Sequence, residues 1–156
     1  MRTKRICYIA SPLGFTEAGR HYYQEILIPQ LSSRLQLLDP WSLVTAEEYQ
    51  QAIVAGEADK LAKRIGQRNK EMLDQAQLLI AILDGQEVDS GVAAEIGYAT
   101  AREIPCLGLR TDLRQAGEAG AIVNLQVEAF ILESGGHVVG SLRDLLGAVD
   151  TLSLHS

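Results

Sequence analysis

Apolar residues along the chain come in short unbroken runs separated by longer amphipathic stretches. The clearest run is Leu78-Leu79-Ile80-Ala81-Ile82-Leu83, which carries no charge. Such a run reads as a strand buried on both faces, the kind found in parallel sheets. Arg5-Ile6-Cys7-Tyr8-Ile9-Ala10 is predicted as the first strand and Leu35 to Pro40 as a short second one, ended by its proline. Ile104 to Leu109 is the fourth and His137 to Gly140 the fifth. Between them the period turns helical. Helices are predicted from Thr16 and Glu17 to about Ser33, and from Thr45 to about Gln77 with a break near Gly56. Three more run from Asp89 or Ser90 through Ala99, from about Glu118 to Glu133, and from Ser141 to about Leu152. The alternation predicts an α/β fold built on a parallel sheet.

Composition narrows the possibilities. At 156 residues a single domain spanning 1–156 is expected, large enough to bury a core without staples. A net charge of −6 and a pI near 5.0 argue against a nucleic-acid or anionic-membrane surface. No apolar run approaches the ~20 residues of a membrane span. The start, Met1-Arg2-Thr3-Lys4-Arg5, is basic, but the apolar segment behind it stops at Ser11-Pro12, too soon for a secretory signal. Cys7 and Cys106 both fall in predicted strands, so buried free thiols are expected rather than a disulfide, which suits a reducing cytoplasm. His21, His137 and His155 are scattered, without metal-ligand spacing; no metal and no cofactor are expected.

The candidate chemistry follows the third strand. Asp84-Gly85 ends the run, and Asp89 or Ser90 can cap a helix in which Ala93, Ala94, Ile96 and Ala99 keep helical spacing. In open α/β sheets, ligands bind in the crevice at the carboxyl ends of the strands. Asp84, Asp89 and Glu95 sit near that edge, and Gly85 and Gly91 let backbone approach a ligand. The loop alone reads equally well as a solvated acidic turn with a helix cap. Glu95 is different: its neighbours are apolar or small, so its carboxylate is expected to be partly buried, and buried carboxylates have a partner or a task.

Asp89-Ser90-Gly91-Val92-Ala93-Ala94-Glu95-Ile96-Gly97-Tyr98-Ala99 resembles the central motif of the nucleoside 2-deoxyribosyltransferase family. Tyr8-Ile9-Ala10-Ser11-Pro12 and Asn124-Leu125 extend the resemblance over nearly the whole chain in the family's order. The resemblance implies a flavodoxin-like open sheet of five parallel strands, order 2-1-3-4-5, with helices on both faces. It implies Glu95 as the nucleophile that attacks the anomeric carbon, and Tyr8 as the hydroxyl that orients it. Asp89 and Asn124 would hold the sugar's 5′ end. Asn69 stands where the family commonly has an aspartate that meets the base; an amide can pair with a base edge but cannot act as an acid. Subunits would assemble as dimers, or dimers grouped into a hexamer, with Asn124 supplied by the neighbour.

Other positions keep two readings. Phe15 either stacks on a nucleobase or is a surface hydrophobe. Asp39 and Trp41 either reach the cleft or pack a loop. Asn124, among Ile122, Val123, Leu125 and Val127, is either a satisfied core amide or a ligand contact. Arg64, Arg68 and Lys70 read as a solvated helix face.

Together these imply transfer of 2-deoxyribose between nucleobases through a covalent glycosyl-glutamate, with purine or pyrimidine 2′-deoxynucleosides and free bases as partners. Two alternatives are weighed: a deoxynucleoside 5′-monophosphate N-glycosidase, and a non-catalytic nucleotide-binding module. Asp89, where the hydrolases tend to carry serine, disfavours the first because carboxylate repels phosphate. Against a receiver-like module, strand one ends in Ala10-Ser11-Pro12 without an acidic pair.

Overall fold

The computed structural model describes residues 4–154. Residues 1–3 of the basic start, and His155, lie outside the described residues. Strands β1 (Ile6–Ala10), β2 (Gln36–Leu38), β3 (Leu78–Ile82), β4 (Cys106–Leu109) and β5 (His137–Val139) form one sheet in the order β2-β1-β3-β4-β5. Every neighbouring pair is parallel. This is the flavodoxin-like order, and its switch point lies between β1 and β3. Tyr8 there stands opposite Leu79.

Strand alternation divides the core in two. Tyr8 and Ala10 of β1 share one face with Leu79, Ala81 and Leu83, covered by α4 (Ala58–Gln75), α5 (Ser90–Ala101) and α6 (Leu125–Glu133). Cys7 and Ile9 share the other with Leu78, Ile80 and Ile82, covered by α1 (Glu17–Tyr22), α2 (Ile28–Ser32) and α7 (Leu142–Leu154). Because side chains alternate across a strand, the parity of a residue decides which cleft it can enter. Both cysteines are buried and unpaired, and burial pushes both thiols up from their ordinary range.

Several predicted elements change on folding. The first helix runs as α1 and α2 joined through a π-helical turn at Tyr23–Leu27. Pro29 explains the widening, since it has no N–H for the carbonyl four residues back and its ring crowds that carbonyl. The break at Gly56 is a left-handed residue (φ 69°) between α3 (Ala46–Val54) and α4. The helix predicted from Glu118 to Glu133 is a 3-10 turn at Glu118–Gly120 followed by α6 from Leu125. Ala119 and Gly120, with φ of 53° and 88°, interrupt the helical path. Asn124 therefore caps α6 instead of lying within it, and the apolar surround expected for it is half open. Ile122 and Leu125 are exposed, whereas Val123 and Val127 are buried.

Candidate active site

The site is assembled from the carboxyl edges of β1 and β3 and the start of α5. Asp89 has non-helical backbone (φ −53°, ψ 135°) and caps α5: its Oδ1 accepts from the N–H groups of Gly91 (2.9 Å) and Val92 (3.1 Å). A side chain at position 91 would stand 3.1 Å from that oxygen, so glycine leaves the cap room. From this fixed start, Val92, Ile96 and Ala99 face the sheet. Glu95 lies on the flank of that stripe and is half-buried.

Tyr8, fully buried on β1, donates its hydroxyl to Glu95 Oε1 at 2.6 Å. Burial pushes the Glu95 carboxyl up to about 7; the Tyr8 hydrogen bond opposes this and the Asp89 charge adds to it. Burial and the adjacent carboxylate likewise raise the Tyr8 hydroxyl, so it remains a donor. One oxygen of Glu95 is thus held, in a carboxyl group poised to ionise near neutrality.

Asn69 lies one turn before Leu73 on the buried stripe of α4, and Leu73 belongs to the same core cluster as Tyr8 and Ile96. α4 runs back to the start of β3 through a short connection, so its earlier turns rise toward the carboxyl edge of the sheet. The Oδ1 atom of Asn69 is buried without a hydrogen-bond partner. A buried acceptor of this kind is open to a hydrogen bond from a ligand or a water. α4 and α5 are braced behind it: Tyr98 and Lys70 both donate to Asp74, at 2.6 and 2.7 Å. Arg68 pairs with Glu71 on the exposed side, so the basic residues paired here form a solvated face.

Other predicted residues fall elsewhere. Phe15 is 70% exposed and stands edge-on to Trp41, with ring centroids 4.8 Å apart. Trp41 is a packing residue: its Nε1 donates to the Ser11 carbonyl at 2.8 Å, and a Cβ on Gly14 would enter its ring. Asp39 caps the turn that carries Trp41 and accepts the Tyr23 hydroxyl at 2.6 Å. Both therefore hold the β1 loop that presents Phe15. Asn124 uses Oδ1 to cap α6, accepting from Gln126 and Val127, and its Nδ2 approaches Glu118 at 3.3 Å.

Asp84 departs most from its expected place. Its parity is that of Ile82, so it lines a cavity of about 280 Å³ with Leu13, Tyr22, Leu109 and Thr111, on the α1 face and away from Glu95. Its carboxylate is taken up by Thr111 and Asp112 of the loop after β4. Arg110, which in the sequence is only the first residue of a polar stretch after the fourth strand, is buried beside it. The available signal was positional: an arginine closing an apolar strand at the edge where the neighbouring strand is closed by an acid. Among the described residues no His, Cys, Asp and Glu cluster has the arrangement of a metal site. No described helix is long and apolar enough to cross a membrane.

Fold and site define a flavodoxin-like α/β protein with a tyrosine-held carboxyl group at its switch point. A family model for nucleoside 2-deoxyribosyltransferase matches residues 7–139, and the chain belongs to that family. No curated protein sequence gives a significant match. Among solved structures, a conserved protein from Enterococcus faecalis V583 is 27% identical with a TM-score of 0.70, covering 96% of this chain and 99% of that one. The 2-deoxyribosyltransferase of Bacillus psychrosaccharolyticus is 18% identical, TM-score 0.64, with 90% of each chain covered. The CMP N-glycosidase BcmB of Clostridium botulinum is 17% identical, TM-score 0.58, over 95% and 99%. At those two identities the likeness is one of fold.

Proposed function

We propose that the protein transfers 2-deoxyribose between nucleobases by double displacement, with Glu95 as nucleophile. The observation that carries this reading is the Tyr8–Glu95 hydrogen bond at the switch point of the sheet. In the first step the free Glu95 oxygen bonds to the anomeric carbon, and the base departs with the electron pair of the N-glycosidic bond. In the second, a nitrogen of the incoming base, its N–H proton passing through solvent to the departed base, bonds to that carbon and Glu95 leaves as carboxylate. Two inversions give net retention. Asn69 pairs with the base edge and stabilises it as it leaves, without serving as an acid.

Asp89 favours a free 5′-hydroxyl over a phosphate. A helix N-terminus can bind phosphate through its free N–H groups, but here the Asp89 carboxylate already occupies those of Gly91 and Val92. A phosphate at that place would meet a negative charge, with the Gly91 and Val92 donors already taken. This argues against the second reading, base removal from a nucleoside 5′-monophosphate, which is the kind of activity named for the C. botulinum neighbour. The oligomer with shared sites is part of the same proposal: exposed Ile122, Leu125 and Leu132 give the α6 region an apolar surface for a second copy.

The test is base exchange. Incubation with deoxyinosine and adenine should yield deoxyadenosine and hypoxanthine; hypoxanthine alone means hydrolysis, and neither product removes the catalytic reading.

A further inference from the structure

Arg110 closes β4 and is 4% exposed. Its guanidinium is always charged, and buried charges normally have a charged partner. Among the described residues none of the ion pairs involves Arg110. Its Nη1 donates to the carbonyls of Leu83 (2.5 Å) and Gly85 (2.7 Å), and its Nη2 to that of Arg114 (2.7 Å). Its Nε is buried without a partner. A whole charge is therefore spent on backbone carbonyls of two loops.

Asp84, which follows β3, reaches the other way. Its Oδ1 accepts from the N–H groups of Thr111 (2.6 Å) and Asp112 (2.9 Å), and its Oδ2 from the Thr111 hydroxyl. The Asp112 carboxylate takes the side chain and the backbone N–H of Arg114 within its own loop. The two strand-end loops are thus cross-tied, each holding the backbone of the other. Gly85, at φ 129°, sits at the crossing in a conformation that disfavours a side chain. From Leu83 to Asp89 the chain has no regular structure, and Asp89 then starts α5. Whatever fixes this loop fixes the start of the helix that bears Asp89 and Glu95.

We infer that Arg110 is a positioning residue for the glycosyl chemistry, its buried guanidinium holding the loop between β3 and α5 against β4 so that Glu95 stays registered on Tyr8. The role in turnover rests on the reading of the site as a glycosyl-transfer centre; the registration itself belongs to the free protein. Lysine is no substitute, because its donors radiate from one atom and cannot span carbonyls on two loops, whereas the planar fork of arginine can.

The test uses Arg110→Lys, with Asp84→Asn paired with Thr111→Val to undo the tie from the other side should the lysine variant not fold. Two quantities are measured: kcat and KM for base exchange, and titration of the Glu95 carboxyl by carbon NMR, where the facing groups are Tyr8 from β1 and Asp89 from the α5 cap. Loosening the loop should lower kcat about 10- to 100-fold, the scale of a small misplacement, with KM for the free base little changed. It should also move the Glu95 titration toward its ordinary range as water enters. A folded variant with wild-type kcat and wild-type Glu95 titration overturns the inference, whatever its melting temperature. If the wild-type protein exchanges no bases, the proposed function fails, and the Glu95 titration alone then decides the role of Arg110.

Discussion

The Tyr8 hydroxyl reaches Glu95 Oε1 at 2.6 Å, joining residues 87 positions apart in the chain. Glu95→Ala should lose at least about a thousandfold in turnover, since removing a nucleophile leaves only binding and electrostatics. A 2-fluoro-deoxynucleoside should add one sugar mass to the peptide carrying Glu95. Tyr8→Phe removes one hydrogen bond to a charged group, about 1.5–3 kcal/mol, and should cost about 10- to 150-fold. An adduct on another peptide would overturn the nucleophile assignment.

The raised Glu95 carboxyl predicts two pH effects of opposite benefit. The nucleophile must be ionised, so kcat/KM should fall with one-proton slope as pH drops through about 7. Stability runs the other way. Glu95 has a folded value above its unfolded one, so it favours folding while protonated, and that contribution is lost as pH rises through about 7. Glu95→Gln should therefore raise Tm more at pH 8 than at pH 5. Equal gains at both would show that the carboxyl is not shifted.

Substrate choice at the 5′ end should follow Asp89. Deoxyinosine should be used far better than its 5′-monophosphate, and Asp89→Ser should narrow the gap by removing the repelling charge while keeping a helix cap. Competition between the two substrates, followed by chromatography, reads this out. A wild-type preference for the monophosphate would promote the hydrolase reading instead.

At Asn69, the unpaired buried amide oxygen should be worth a base contact. Asn69→Leu leaves the base edge without a partner and should lose about 1–3 kcal/mol of transition-state binding. Asn69→Asp should retain activity but depend more steeply on low pH, because a carboxyl group can both protonate and ionise. Equal kcat/KM in all three proteins would exclude Asn69 from the site.

Asn124 tests whether sites are shared. Glu95→Ala and Asn124→Ala should each be impaired as pure proteins. Co-refolded, they should form hybrid dimers in which one site carries both native residues, and activity should partly return. If subunit exchange is verified and nothing returns, Asn124 acts within its own chain, where its cap and its Glu118 contact already engage it.

Much of this protein was legible in the order of its residues. The strand Leu78–Ile82, the cap at Asp89 and the burial of Glu95 are local: run length, helical spacing and capping chemistry act within a few residues, and one sequence carries them whole. The pairing of Tyr8 with Glu95 was legible only through resemblance. Its physical basis is the adjacency of β1 and β3, which the chain order does not itself state. What tertiary structure alone decided was side and partner. Asp84 reads as one more acid near the crevice, yet strand parity turns it to the α1 face and Thr111 claims it. Asn124 reads as helix interior, yet left-handed residues at 119 and 120 make it a cap. Arg110 reads as loop polarity, yet it is buried because the carbonyls that need its charge come from another strand's end. Periodicity records which residues are apolar; which donor meets which acceptor is settled only when strands distant in sequence lie side by side.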